Sequence, residues 1–158
     1  MSIEKVKKYF DSVGLGYRLK ELEQSTATVE QAAIAIGCGP EKIAKTMSFL
    51  INGEAILIVT AGDARVDNKK YKITFQQKAK MIPGELVEDY IGHKPGGVCP
   101  FAINLEVKVY LDVSLKRFDL VYPAAGSSQS AVELSLEELE IHSACREWVD
   151  VCNLIAST

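Results

Sequence analysis

Two features of this sequence combine residue types that could do chemistry: a loop at residues 91–101, and Lys45 at the start of an apolar run. The loop holds three glycines and two prolines in eleven residues. It cannot form an ordinary helix or central strand, because glycine loses the most entropy on ordering and proline lacks an amide donor. With Gly96 and Gly97 allowing close approach, it could present backbone N–H groups to an anion or a carbonyl oxygen. A tight turn that only joins two elements is the alternative interpretation.

Lys45 is followed by the core-like residues Thr46-Met47-Ser48-Phe49. A lysine at the mouth of a buried strand either reaches solvent or points into a cleft. In a cleft, its ammonium could hold a phosphate or polarise an ester carbonyl, and burial could lower its pKa towards use as a general base. The hydroxyl of Thr46 is next to it but points to the opposite face of the strand.

Cys99 lies inside the glycine loop and raises the hypothesis of a thiol nucleophile. A catalytic thiol needs a base or a positive environment that lowers its pKa. His93 belongs to the same loop, but the sequence does not show whether the two side chains meet. A small, partly buried thiol is therefore the favoured interpretation of Cys99.

Metal and cofactor motifs are missing from the sequence. The four cysteines have no CxxC spacing and only two histidines accompany them, which gives no support to a zinc site. Neither a GxGxxG motif nor a P-loop is present. We therefore expect no metal and no cofactor.

Composition and charge limit the class of protein. The 158 residues, 47% apolar and 25% charged, are typical of one globular domain and argue against disorder. No apolar run approaches the ~18 residues of a membrane span, and the charged N-terminus lacks a signal-peptide core, so we expect a cytoplasmic protein without a membrane partner. The net charge of −3 disfavours non-specific coating of nucleic acid. However, residues 62–81 carry six basic and two acidic side chains, and residues 133–150 carry six acidic and one basic. This asymmetry could guide a phosphate-bearing ligand, or it could reflect two solvated helix faces.

The elements that must position these residues are short. Asn52-Gly53 between the apolar runs 45–51 and 55–60 predicts a central, buried hairpin with a type I′ turn. Short strands interspersed with short helices predict a single α/β domain with a mixed, strongly curved sheet. The patterns predict helices over residues 2–13, 28–37, 67–75 and 83–90, a helical turn at 114–117 and a short helix after 135. They predict further strands over residues 17–23, 78–81, 107–112, 120–122, 131–134 and 147–151. Loops are predicted over residues 61–66 and 123–128.

Five segments of the chain, in this order and spacing, closely resemble the YbaK-like aminoacyl-tRNA deacylases. That family includes the editing domain inserted in bacterial prolyl-tRNA synthetases and its freestanding relatives. The similarity runs from about residue 13 to about residue 151. It implies a barrel-like sheet surrounded by short helices, with residues 1–158 as a single domain, and the start at Met1 suggests a freestanding, trans-editing member. The segments are Thr28-Val29-Glu30-Gln31-Ala32-Ala33, Ile43-Ala44-Lys45-Thr46-Met47, Gly62-Asp63-Ala64-Arg65-Val66-Asp67, residues 92–101 and Ala125-Gly126-Ser127.

The resemblance implies hydrolysis of the ester that joins a wrong amino acid to tRNA, with cysteine or alanine on tRNA(Pro) as the expected substrate type. The expected partner is the acceptor end of the mischarged tRNA; the need for a synthetase partner and the oligomeric state stay open. The nucleophile would be water or a group of the substrate. The resemblance assigns catalysis to Lys45, Gly96 and Gly97, and substrate binding to Thr46, Val98, Cys99, Pro100, Gly126 and Ser127.

Two residues depart from the family pattern. Ala102 stands where many members have glycine, and Cys99 stands where serine is frequent. Both are small, so the loop shape should survive, although Ala102 could alter which side chain the pocket accepts. Two other functions are compatible with the same residues: a non-catalytic module that binds a tRNA end, a nucleotide or a protein in this cleft, and a thiol enzyme built on Cys99.

Overall fold

The computed structural model describes residues 2–155, in which five α-helices and ten strands alternate along the chain. The helices are α1 (Ser2–Ser12), α2 (Val29–Ile36), α3 (Asn68–Phe75), α4 (Gly84–Ile91) and α5 (Leu136–His142), with 3₁₀ helices at Gly16–Arg18, Pro40–Lys42 and Val113–Arg117. The strands are β1 (Leu19–Glu21), β2 (Ile43–Ile51), β3 (Glu54–Ala61), β4 (Ala64–Val66), β5 (Lys108–Asp112), β6 (Leu120–Pro123), β7 (Ser130–Val132), β8 (Leu134–Ser135), β9 (Glu147–Val149) and β10 (Cys152–Leu154).

The hairpin β2–β3 forms the centre of the main sheet. Asn52 and Gly53 both have positive φ, 51° and 82°, which is the backbone that a type I′ turn requires. Antiparallel pairing runs from Ala44 opposite Ala61 to Ile51 opposite Glu54. The predicted hairpin is thus confirmed, and every residue of β3 after Glu54 is buried.

Six strands make up the main sheet, in the order β8-β6-β2-β3-β5-β9. The pairs β2·β6, β3·β5 and β5·β9 are parallel, whereas β2·β3 and β6·β8 are antiparallel. Two small antiparallel pairs, β1·β7 and β4·β10, lie beside it. The predicted α/β fold with a mixed, strongly curved sheet is confirmed.

Local side-chain caps explain why the helices begin where they do. Thr28, Asp67 and Ser135 each accept a hydrogen bond from a backbone N–H in the first turn of α2, α3 and α5. Glycines in the left-handed conformation, Gly37 and Gly92, end α2 and α4. These helix boundaries agree with the sequence patterns because capping is a local interaction.

Several short elements differ from the predictions. Ala64–Val66, predicted as loop, forms β4 because β10 supplies its partner. The strand predicted over 78–81 is wrong, since only Met81 makes an isolated bridge, to Phe49. The strands predicted over 17–23, 131–134 and 147–151 are shorter or divided, as β1, β7 with β8, and β9.

The core lies on both faces of the central hairpin and extends to the glycine loop. Phe10 of α1 packs edge-on against Phe101, with ring centroids 4.9 Å apart. Phe49, Tyr71, Phe75 and Tyr110 form a chain of ring contacts on the α3 side. None of the helices within residues 2–155 has the length and apolar character needed to cross a membrane.

Candidate active site

A pocket of about 170 Å³ opens where the start of β2 meets the N-terminal end of α2. The glycine loop and the segment from β6 to β7 complete its walls. Most of the lining side chains are small. The lining residues are Thr26, Ala27, Thr28, Val29, Ala32, Ile36, Ile43, Ala44, Lys45, Thr46, Gly96, Val98, Tyr122, Ala124, Ser130 and Ala131.

Lys45 is the charged residue of this lining, and its side chain is partly buried. Its Nζ donates a hydrogen bond of 2.9 Å to the carbonyl oxygen of Ala64 in β4. No carboxylate of residues 2–155 forms an ion pair with it. Because an ammonium has three donors, two N–H groups stay available for a ligand.

Burial lowers the pKa of the Lys45 ammonium from its ordinary value, since it removes water from around the charge. Arg65 lowers this pKa further, whereas Cys152, Glu30 and Asp63 raise it. Such a lysine can exchange its hydration for contact with an anionic or carbonyl oxygen at little additional cost. This combination is suited to holding a phosphate or an ester.

The glycine loop is held against the loop at residues 124–128. A Cβ added to Gly97 would lie 2.7 Å from backbone atoms of Gly126 and Ser127, so these backbones are in direct contact. Gly126, with φ of 99°, in turn lies against the backbone of Ser2 at the start of α1. Gly97 thus packs the glycine loop against the loop at residues 124–128, whereas Gly96, with φ of 91°, faces the pocket.

The structure brings some of the predicted site residues together and leaves others behind the pocket wall. Lys45, Thr46, Gly96 and Val98 all line the pocket. The hydroxyl oxygen of Thr46 is buried and has no hydrogen-bond partner among residues 2–155. Outside the lining are Gly97, Cys99, Pro100, Gly126 and Ser127.

Cys99 and His93 do meet, but in the core rather than in the pocket. The Cys99 Sγ lies 3.5 Å from Nε2 of His93, and that nitrogen is also 2.7 Å from the carbonyl oxygen of Phe101. Both side chains are fully buried. Burial raises the pKa of the Cys99 thiol to about 12 and lowers the pKa of His93, which disfavours a thiolate–imidazolium pair.

We expect the Cys99→Ser variant to keep its catalytic activity, with kcat within about threefold of the parent, because a thiol with a raised pKa is a poor nucleophile. Serine is close to cysteine in size, so it should fit the same buried position beside His93 and Phe101. Single-turnover deacylation by the two proteins is the measurement. Abolished activity in a folded variant would restore the thiol-enzyme hypothesis.

Ala102 occupies the left-handed region with φ of 52°, which costs an alanine about 1 kcal/mol and costs glycine almost nothing. This explains why a glycine suits the position after Pro100-Phe101. We expect Ala102→Gly to raise the free energy of unfolding by about 0.5 to 1 kcal/mol, measured by urea denaturation. The control is Ala35→Gly inside α2, where the same change should lower the free energy of unfolding by a similar amount. A less stable Ala102→Gly protein would contradict the strain argument.

Sequence reasoning missed part of the pocket wall because its residues belong to no motif that signals a site. Thr26 and Ser130 are buried there, and Oγ1 of Thr26 both donates to the carbonyl oxygen of Ser130 and accepts from its N–H. Thr28 was predicted as a helix cap and as part of a family-like segment, and it also lines the pocket. Neither signal reveals which cavity the helix end faces.

The family model for the aminoacyl-tRNA editing domain matches residues 23–141, which include every lining residue of the pocket. The chain belongs to the aminoacyl-tRNA editing domain family. A role in aminoacyl-tRNA editing follows from this membership, and the resemblance seen in the sequence is confirmed. No group of three or more His, Cys, Asp and Glu side chains within residues 2–155 could hold a metal ion.

Relatives of this editing domain occur both alone and inside larger proteins. The uncharacterized protein YwhH of Bacillus subtilis is 48% identical over 153 residues, which cover 96% of this chain and 98% of that protein. The proline–tRNA ligase of Bacillus licheniformis is 28% identical over 117 residues, which are 71% of this chain and 20% of the ligase. The chain therefore corresponds to about a fifth of the ligase.

A solved structure shares the whole fold. The crystal structure of a candidate trans-editing enzyme for prolyl-tRNA synthetase superimposes with a TM-score of 0.85 at 26% identity. The match covers 96% of this chain and 97% of that one. The editing-domain fold assigned from the sequence is therefore shown by both the family model and the structure.

Proposed function

We propose that this editing domain is an aminoacyl-tRNA deacylase acting on mischarged tRNA(Pro) that carries cysteine or alanine. The supporting observation is the ammonium of Lys45, which is partly buried and has two N–H donors available for a ligand. It lies in the same pocket as Gly96 and Val98. Two comparisons support the choice of tRNA. A segment of a proline–tRNA ligase is similar to this chain, and a similar solved structure is described as a candidate trans-editing enzyme for prolyl-tRNA synthetase. We propose residues 1–158 as one domain for this activity.

In the proposed reaction, water or a group of the substrate itself attacks the ester carbonyl carbon. The bond between that carbon and the ribose oxygen breaks, and the proton of the nucleophile passes to the ribose oxygen, which regenerates the tRNA hydroxyl. The amino acid is released directly when water attacks, or after water hydrolyses the new acyl bond when a substrate group attacks. Lys45 holds the anionic acceptor end, and the loop backbone at Gly96 stabilises the developing negative charge on the carbonyl oxygen. Gly97 supports this loop from outside the lining, because its N–H already donates to the carbonyl oxygen of Lys94. Substrate contacts are proposed for Thr46 and Val98, which line the pocket. Cys99, Pro100, Gly126 and Ser127, predicted as substrate-binding, lie outside the lining and would shape the pocket from behind rather than touch the substrate.

The lining of the pocket is compatible with a small amino acid. Alanines form much of the wall, and the volume is about 170 Å³. A cavity of roughly 150 Å³ already admits a benzene ring, so the proposed preference for cysteine and alanine rests on the family resemblance rather than on volume.

A deacylation assay on a panel of mischarged tRNAs tests the proposal. We expect turnover of tRNA(Pro) carrying cysteine or alanine and much slower turnover of tRNA carrying large amino acids. Tight binding of these substrates by the folded protein without any hydrolysis would instead establish the non-catalytic module.

The pH dependence distinguishes an anchoring role of Lys45 from a role as general base. A charged anchor loses its charge as pH rises through its folded pKa, which burial has lowered from 10.5. We therefore expect kcat/KM, measured after the background rate of uncatalysed hydrolysis has been subtracted, to fall as pH rises through that pKa. A kcat/KM that instead rises to a plateau through the same range would identify Lys45 as a base.

A further inference from the structure

Exposed basic side chains follow Lys45 in the chain, along β4 and α3. Arg65 contributes to the lowered pKa of Lys45, and Lys45 bonds to the residue just before it, Ala64. Asp67 then caps α3, whose eight residues contain three lysines and no acid. Lys69 and Lys72 are three residues apart and thus share one face of this helix.

A surface groove of about 390 Å³ is lined by two lysines of α3, Lys69 and Lys72, and by Lys78. Asn68 and Ala79 complete its lining. All three lysines and Arg65 are exposed, and within residues 2–155 none of the four forms an ion pair or a side-chain hydrogen bond. We call Arg65, Lys69, Lys72 and Lys78 the basic track.

The acidic residues around the track are already engaged. Asp63 forms a two-point ion pair with Arg117, and Asp67 accepts the N–H of Lys70 at the start of α3. Asp150 pairs with Lys70. Asp63 and Asp150 are thus each paired with a basic side chain outside the track, whereas Asp67 keeps its charge. One negative charge does not offset the four positive charges of the track, which therefore keeps a positive field in a protein whose net charge is −3.

We propose that the basic track binds backbone phosphates of the tRNA acceptor stem, beyond the terminal nucleotide held at Lys45. The proposal rests on the proposed function for the identity of the RNA. In the proposed contact, the regularly spaced phosphates of the RNA backbone lie against the exposed ammonium and guanidinium groups of the track. Backbone contacts of this kind add affinity and orient the acceptor end without reading sequence.

The test is binding of uncharged tRNA(Pro) transcript to the full chain, measured by fluorescence anisotropy over a series of salt concentrations. Lys69→Ala/Lys72→Ala should weaken binding about tenfold or more at low salt. It should also reduce the slope of log K against log[salt] by about 0.7 to 0.9 for each lysine removed. Lys8→Ala/Lys116→Ala removes the same number of exposed lysines outside the track and should change neither quantity.

The possible outcomes separate this inference from the proposed function. If the parent protein binds RNA with the expected slopes but hydrolyses no mischarged tRNA, the track stands and the deacylase proposal fails. If it hydrolyses mischarged tRNA but the track variant binds as the parent does, the track is overturned and the deacylase stands. Failure of the parent to bind the transcript, with track-dependent binding of polyglutamate instead, would overturn the RNA assignment in favour of an acidic protein partner.

Discussion

Replacement of Lys45 by alanine is expected to lower kcat/KM for deacylation by about 100-fold or more, the usual effect of removing one preorganised donor from a water-poor site. Lys45 lines the pocket with two ammonium hydrogens not used by Ala64, so the loss falls on the substrate. The fold should survive, because the remaining pairs of β2 and β3 are unchanged. Single-turnover hydrolysis of mischarged tRNA measures the effect.

Two further variants make this result specific. Lys42→Ala removes an exposed lysine three residues earlier, outside the pocket lining, and should leave the rate within about twofold of the parent. Lys45→Arg keeps the charge with a larger, planar group and should recover only part of the activity. Full activity in a folded Lys45→Ala protein would remove Lys45 from the mechanism.

Gly97→Ala is expected to lower the free energy of unfolding by about 2 to 3 kcal/mol and to abolish deacylation. The new methyl carbon would lie 2.7 Å from three backbone atoms of Gly126 and Ser127. Those residues cannot retreat, because Gly126 already lies against the backbone of Ser2 and Ile3. The glycine loop must therefore move, and the pocket wall at Gly96 and Val98 moves with it.

The matched control is Gly84→Ala at the first residue of α4, where an added Cβ has no atom within 4 Å. Alanine is the better helix former, so stability there should be unchanged or slightly increased. Urea denaturation of both variants, together with their deacylation rates, gives the comparison. A Gly97→Ala protein as stable as the parent would show that the two loops are not in contact.

The features that could be predicted from the sequence are those set by local interactions. The turn at Asn52-Gly53 and the caps at Thr28, Asp67 and Ser135 depend on residues within four positions of one another. Lys45 could be singled out because a charge beside an apolar run is conspicuous. Gly96 could also be singled out, from the glycine- and proline-rich loop around it, whereas Val98 was assigned to the site from the family resemblance alone.

The remaining features depend on contacts that sequence patterns do not encode. β4 is three residues long and exists because β10 pairs with it from almost ninety positions away. Thr26 and Ser130 meet across a similar gap. Cys99 was predicted to be a small, partly buried thiol, and the packing of Phe10 on Phe101 places this part of the loop fully in the core.

The pairing of β4 with β10 bears on when the site can form during synthesis. Lys45 bonds to the carbonyl oxygen of Ala64, which β10 aligns opposite Leu154, and Ile155 donates its N–H to Asp63. A nascent chain can close the β2–β3 hairpin early, because that contact is local. β4, which carries the carbonyl oxygen that Lys45 bonds to, gains its strand partner only when residues 152–155 have left the ribosome. An editing pocket assembled in this order is completed long after Lys45 itself has been translated.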